Sequence, residues 1–335
     1  MDPRPPSLRE LAAKLGVSHA TVSMALRNHP SISAATRERV QALARQMNYR
    51  GNILVSALLA QVRRRRVNAT GEVIAMLIEG DGLHHAPVVA SVWDSIRQRA
   101  RQLGLKLELF PLGHKGEDSA SVGRVLFNRG IRGLIIAPMP LDLLPLQIDW
   151  GLHVVVAVGY SFQQRELNRV ANAHFNGLMA CYRGLRDAGR RRIGCVMRCD
   201  EDERSRHYWQ AAALCAPRLH GGGVIPPLML DSPVNEGKFD PWFRRYRPDA
   251  IIGNNPDYVL DWLAKRGLRV PDKVGYASLD LAPGAKIPGV RQSWEGIFIT
   301  AVDQLAGELA RNEFGLPASP KTILVEGVWN PGRQI

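Results

Sequence analysis

Three side chains near the start of the chain offer chemistry suited to reading another surface. In the stretch GVSHATVSMALRNHP, residues 16–30, His19 and Ala20 open a short helix and Met24 follows Ala20 at i, i+4. An imidazole, a methyl and a thioether facing outward together can contact base edges in a DNA groove. The setting agrees. Residues 1–66 carry 12 of the 44 Lys and Arg and only three acids, Asp2, Glu10 and Glu38, a local charge of +9. The other 269 residues are nearly balanced at +4, so a polyanionic partner is expected for the head alone.

Catalytic chemistry is not indicated. There is no P-loop, no G-x-G-x-x-G after a strand and no G-x-S-x-G. The nine His do not fall at metal-ligand spacings, and His84-His85 reads as a surface or pocket-lining pair in a loop. The GGG at 221–223 precedes a strand and is a turn rather than a phosphate cradle. No catalytic residue, cofactor or metal site is therefore expected. Cys181, Cys195, Cys199 and Cys215 show no C-x-x-C pair and are expected as buried free thiols in a reducing compartment. No apolar run approaches membrane-spanning length and MDPRPPSLRE has no apolar core, so neither a membrane helix nor a signal peptide is expected, and the protein is placed in the cytoplasm.

The elements that must hold His19, Ala20 and Met24 are legible. Ser7 and Glu10 form a capping box, and Leu8, Leu11, Ala12 and Leu15 fall on one face of a first helix that Gly16 stops. Val17 plugs the turn, and Ser18 caps a second helix that turns Val22, Ala25 and Leu26 inward. Ser33 caps a third helix, to about Asn48, that buries Val40, Leu43, Ala44 and Met47. Two short helices across a tight turn with a third as brace make a helix-turn-helix, whose second helix enters the major groove.

The stretch LRELAAKLGVSHATVSMALRNHPSISAATRERVQALARQMNYRGN, with its G-V-S-x-x-T-V-S, S-x-x-T-R-x-R-V and Y-R-x-N elements, resembles the DNA-binding head of the lactose/galactose repressor (LacI/GalR) family. The resemblance implies that Ser18, Thr21, Ser23, Ser33, Thr36 and Asn52 hold phosphates, which sets register without reading sequence. It also implies that residues 53–62 form a hinge helix whose Leu58 wedges into the minor groove of operator DNA. Two departures stand out: Met24 replaces the usual Arg, favouring an apolar contact such as a thymine methyl, and Gly51 replaces the usual Pro. Arg63 to Arg66 lengthen the hinge.

From Gly71 onward β-branched runs alternate with amphipathic stretches: EVIAMLI, KLELF, GLIIAP, HVVVAV, RRIGCVM, DAIIG, VGYASL and TILVEGVW. That alternation implies parallel sheets and an α/β core, in two similar halves near 72–160 and 170–285. The fold expected is α/β: a three-helix helix-turn-helix head plus hinge helix, then the two-lobed periplasmic-binding-protein-like core of the resembling family. The boundaries are 1–51 for the head, 52–70 for hinge and linker, 71–163 with 291–318 for the first lobe, and 164–290 with 319–335 for the second. The helix near 294–312 returns to the first lobe and the strand at 322–328 to the second.

Open α/β sheets bind ligands at the carboxyl ends of their strands. By the resemblance, Asp280 accepts hydrogen bonds from an effector, Asn254 is a second polar contact and Trp294 packs on the effector. The effector-binding cation lies among Arg204, Arg206 and His207. Val88 and Val89 replace a frequent aromatic pair. The function expected is a homodimeric transcriptional regulator, a repressor, on a near-palindromic double-stranded operator. A small-molecule effector between the lobes, a sugar or related metabolite, controls it. The competing reading is a cytoplasmic solute-binding module without DNA function, and it leaves the +9 head unexplained.

Overall fold

The computed structural model describes residues 8–26, 32–47, 71–231, 236–254, 256–282 and 284–332. Ser7, Asn52, Leu58 and the whole 52–70 hinge reading lie outside these residues.

The head is built as its apolar spacing requires. Helices α1 (Leu8–Leu15), α2 (His19–Leu26) and α3 (Ala34–Gln46) enclose Leu11, Ala12, Val22, Ala25, Val40 and Ala44, with Leu15, Val17, Leu26, Leu43 and Met47 packed around them. Gly16, at φ +65°, ends α1 with a Schellman pair: its N–H donates to Ala13 O and that of Val17 to Ala12 O. The left-handed step costs glycine little and lets the chain reverse within three residues. Ser18 then caps α2, its Oγ accepting from Thr21 N–H at 3.0 Å, and Ser33 caps α3 the same way from Thr36 N–H at 3.3 Å.

The body holds two sheets of one topology. In the first, β1 (Glu72–Ile78), β2 (Leu105–Pro111), β3 (Gly133–Ile136), β4 (Val154–Val158), β5 (Asn168–Asn172) and β11 (Thr322–Val325) run in the order β11-β5-β4-β3-β1-β2, every pairing parallel. In the second, β6 (Ile193–Arg198), β7 (Leu228–Leu230), β8 (Ala250–Gly253), β9 (Gly275–Ser278), β10 (Gly289–Arg291) and β12 (Val328–Asn330) run β12-β10-β9-β8-β6-β7, with only the β10–β12 pair antiparallel. Buried on both faces, β1 and β4 carry continuous apolar runs. Helices α4 (Pro87–Gln102) and α11 (Trp294–Arg311) cover one face of the first sheet through Val89, Ile96, Ile297, Phe298, Ala301 and Leu305. Helix α5 (Ser119–Asn128) covers the other through Leu126. Around the second sheet stand α6 (His174–Asp187), α7 (Cys199–Arg204), α8 (Tyr208–His220), α9 (Phe239–Tyr246) and α10 (Pro256–Lys265).

Two expectations about the lobes need correction. Residues 168–172 were assigned to the second lobe, but as β5 they pair with β4 and β11 in the first sheet. Their sequence, NRVAN, hid a strand because Asn168 and Arg169 look solvent-facing. Both are buried and bonded within the core: Asn168 Nδ2 donates to Glu308 Oε1 at 2.8 Å, and Arg169 Nη1 to Gly159 O at 3.0 Å, while Arg169 Nη2 is left without a partner. The run 322–328 is not one strand. Residues 322–325 pair with β5 in the first sheet, and only 328–330 return to the second. α11 does return to the first lobe, packing on β4. Of the cysteines, Cys181 and Cys195 are buried free thiols, whereas Cys199 and Cys215 are exposed. No described helix is long and apolar enough to cross a membrane.

Candidate functional site

The three residues expected to read bases all lie in α2. His19 and Ala20 open α2, and Met24 lies one turn on, partly buried. Ser23 lies in the same helix. The Ser18 and Thr21 hydroxyls are 2.8 Å apart and the Ser33 and Thr36 hydroxyls 2.9 Å apart. In each pair one hydroxyl donates to the other, which leaves a second O–H proton for an anion. Capping the helix and offering one hydroxyl proton to a phosphate are thus compatible in each pair.

The second site is a cleft of about 240 Å³ where the carboxyl ends of strands from both sheets converge. Gly159, Tyr160 and Ser161 follow β4, Asn172 and His174 bracket the end of β5, and Glu201 and Arg204 lie on α7 after β6. Asn254 follows β8, Asp280 follows β9, and Gln292 and Trp294 follow β10. In each sheet the strand order reverses beside its first strand, the switch point at which open α/β sheets take ligands. Val88 lines the cleft as well, while Val89 is buried in the first core.

Several polar atoms in this cleft are shielded from water and have no hydrogen-bond partner: Asn172 Oδ1, His174 Nδ1, Trp209 Nε1 and Asn254 Oδ1. An unsatisfied buried polar atom costs about 1–3 kcal/mol, so these four call for a partner, whether water or a bound molecule. Asn254 Nδ2 donates to Glu201, which orients its amide and leaves its oxygen without a partner. Burial pushes the Glu201 carboxyl upward against that hydrogen bond. Asp280 meets the water of the cleft but is walled by protein. That burial, with the Glu201 charge nearby, pushes it up to about 6 against the lowering hydrogen bond from Trp294. Burial also pulls His174 down to about 4, which keeps its imidazole neutral at physiological pH. Trp209 stands edge-on to His174 with ring centroids 4.8 Å apart. The result is an acceptor-rich pocket with aromatic walls, suited to a hydroxyl-bearing small molecule.

The expected effector residues separate into two groups. Asp280, Trp294, Asn254 and Arg204 line the cleft; Arg206 and His207 do not. The Arg206 guanidinium lies over the Tyr160 ring, 5.7 Å from its centroid, and reaches Glu166 Oε1 at 3.5 Å. His207 Nδ1 is 2.8 Å from Asp202 Oδ2, and the buried Asp202 also accepts from Gln210 N–H at the start of α8. His207 takes a left-handed backbone there, φ 60°, so it serves the α7–α8 corner. Glu201, His174, Trp209 and Asn172 were not singled out from the sequence. Glu201 and Trp209 stand within three residues of Arg204, Arg206 and His207, to which the resemblance does point, but Asn172 and His174 flank the end of a strand whose polar residues concealed it.

Residues 7–52 match the family described as bacterial regulatory proteins, lacI family. The chain is 25% identical over 302 residues to the HTH-type transcriptional repressor CytR of Escherichia coli K12, covering 82% of this chain and 81% of that protein. It is 31% identical over 141 residues to the lactose operon repressor of the same organism, covering 42% of this chain and 36% of that one. Among solved structures, the Lac repressor dimer bound to operator and the anti-inducer ONPF aligns with a TM-score of 0.58 at 19% identity, covering 97% and 98% of the two chains. A complex of the transcriptional regulator CelR with cellobiose aligns at 0.56 and 18%, with the same coverage.

Proposed function

We propose, from the chain's membership of the LacI/GalR family of bacterial transcriptional regulators, that it is a homodimeric repressor whose operator affinity is set by a small molecule in the cleft. The head supplies sequence reading through His19, Ala20 and Met24, and register through the hydroxyls of Ser18, Thr21, Ser23, Ser33 and Thr36 and the amide of Asn52. Leu58 of each subunit enters the minor groove at the operator centre. Two-fold protein symmetry then demands a near-palindromic site. The core supplies the effector site through Asp280, Asn254, Trp294 and Arg204, and a hydroxyl-rich metabolite such as a sugar satisfies its acceptors. Closure of the lobes on that ligand shifts operator affinity by a coupling of about 1–3 kcal/mol.

The observation that carries this reading is one chain joining a capped helix-turn-helix to a cleft full of unpartnered polar atoms. A solute-binding module has no use for the first, and a constitutive DNA-binding protein none for the second. Selection of bound sequences from a random duplex pool, with purified protein at about 0.15 M salt, is the test. A palindromic consensus supports the reading, and its probe then serves to screen sugars for an effector. No enrichment, with or without cell-extract metabolites, removes it.

A further inference from the structure

On the segment joining β1 to α4, three exposed side chains turn toward one another. Asp81 Oδ1 lies 2.9 Å from His84 Nε2 and 2.7 Å from His85 Nδ1, and the three atoms all fall within 4.8 Å of one another. The arrangement is local but not accidental. The backbone pairs Gly80 N–H with Gly113 O at 2.9 Å and Gly113 N–H with Gly80 O at 3.0 Å, which pins the start of the turn. His85 N–H donates to Gly82 O at 3.1 Å and Ala86 N–H to Leu83 O at 3.0 Å, while Leu83 and Ala86 pack on the first core and anchor its end. Gly80 sits at φ +84°, and a Cβ there would stand 2.6 Å from His85 Cβ. Only glycine lets His85 fold back onto Asp81.

We propose that Asp81, His84 and His85 form a binding site for a divalent first-row transition metal ion. Two imidazoles and a carboxylate are the donor set that suits zinc, nickel or iron(II). Ligands at metal distances of about 2.1 Å stand about 3 Å apart when they occupy neighbouring octahedral positions. The two spacings to Asp81 Oδ1 already approach that value, so the exposed side chains need shift little. With these residues 51–74% exposed, the remaining coordination positions open to solvent. None of the three residues lines the cleft, which Val88, two residues beyond Ala86, does, so the ion would bind outside the cleft.

The site stands independently of the regulatory reading. Titration of the full-length, chelator-stripped protein with Zn²⁺ alone, followed by calorimetry at neutral pH, tests it. A single saturable site is expected, weakened roughly tenfold or more in Asp81→Asn and in the His84→Ala/His85→Ala double variant, since even outer-shell partners cost that much. The residues are exposed, so melting temperatures of the metal-free variants should match the parent. No saturable binding overturns the proposal. So does binding that survives these changes but disappears in Cys199→Ser/Cys215→Ser, or in His114→Ala beside Glu79.

Discussion

Asp280 is the residue whose ionisation reports most directly on the cleft. Its carboxyl rises from the ordinary 3.8 to about 6, because neighbouring walls and the Glu201 charge disfavour its anion. Between those two values the folded state holds more protons than the unfolded one, so stability falls as pH rises through that window. Asp280→Asn removes the penalty. Its melting temperature should exceed the parent's at pH 8, with the gain shrinking toward pH 4, and a gain independent of pH would contradict the cause given. The same variant should lose the effector response while keeping operator affinity, measured by gel shift with and without effector. In the head, Met24→Arg should change the preferred base at one symmetric operator position in a repeat of the pool selection. Uniform weakening across sequences would mean that Met24 reads no base. That Asp280 lines the cleft was legible from its place in the sequence, whereas the charge neighbour that moves it was not. Glu201 lies 79 residues earlier, and only convergence of two strand ends on one cleft joins them.

Among the elements, the short α2 depends on its ends. Eight residues gain little from helix propensity alone, so its stability comes from the Ser18 cap, the Gly16 reversal and the buried face of Val22 and Ala25. Ser33→Ala should cost about 1 kcal/mol of head stability, and Ser18→Ala a similar amount. Thermal unfolding of the head checks both. If Ser18 and Ser33 also hold phosphates, the variants should bind all duplexes more weakly with a shallower salt slope, and an unchanged slope would leave them as caps only. These caps are local chemistry and could be read directly from S-x-x-T patterns. β5 could not. Its polar Asn168 and Arg169 become strand residues only because Glu308 of α11 and the carbonyl of Gly159 wait for them in the folded core.

For the whole molecule, the decisive feature is the three crossings between the lobes. They meet side by side after β5, after β10 and between β11 and β12. Ala173 N–H donates to Val325 O at 3.0 Å, Asn176 Nδ2 to Glu326 Oε1 at 2.7 Å, and Ser293 Oγ to Glu326 O at 3.0 Å. Such a bonded seam is where a hinge between lobes must bend. Gly327 lies in it with no room to spare: an added Cβ would stand 2.4 Å from Val290 Cγ1. Gly327→Ala should therefore cost about 1–3 kcal/mol by overpacking and blunt the effector response more than basal operator binding. Equal loss of both would mean that the seam serves stability alone.

At this scale the sequence by itself determined the class of each part: a basic, capped three-helix head and an alternating α/β body with a cleft at its strand ends. Those features follow from periodicity, caps and charge, which act over a few residues. Only the tertiary structure decided which lobe owns residues 168–172 and 322–325, that Arg204 faces the cleft while Arg206 and His207 do not, and that Asn172, His174, Glu201 and Trp209 belong to one pocket. Strand order, burial of polar groups and convergence across a cleft depend on partners far along the chain, and no local pattern records them.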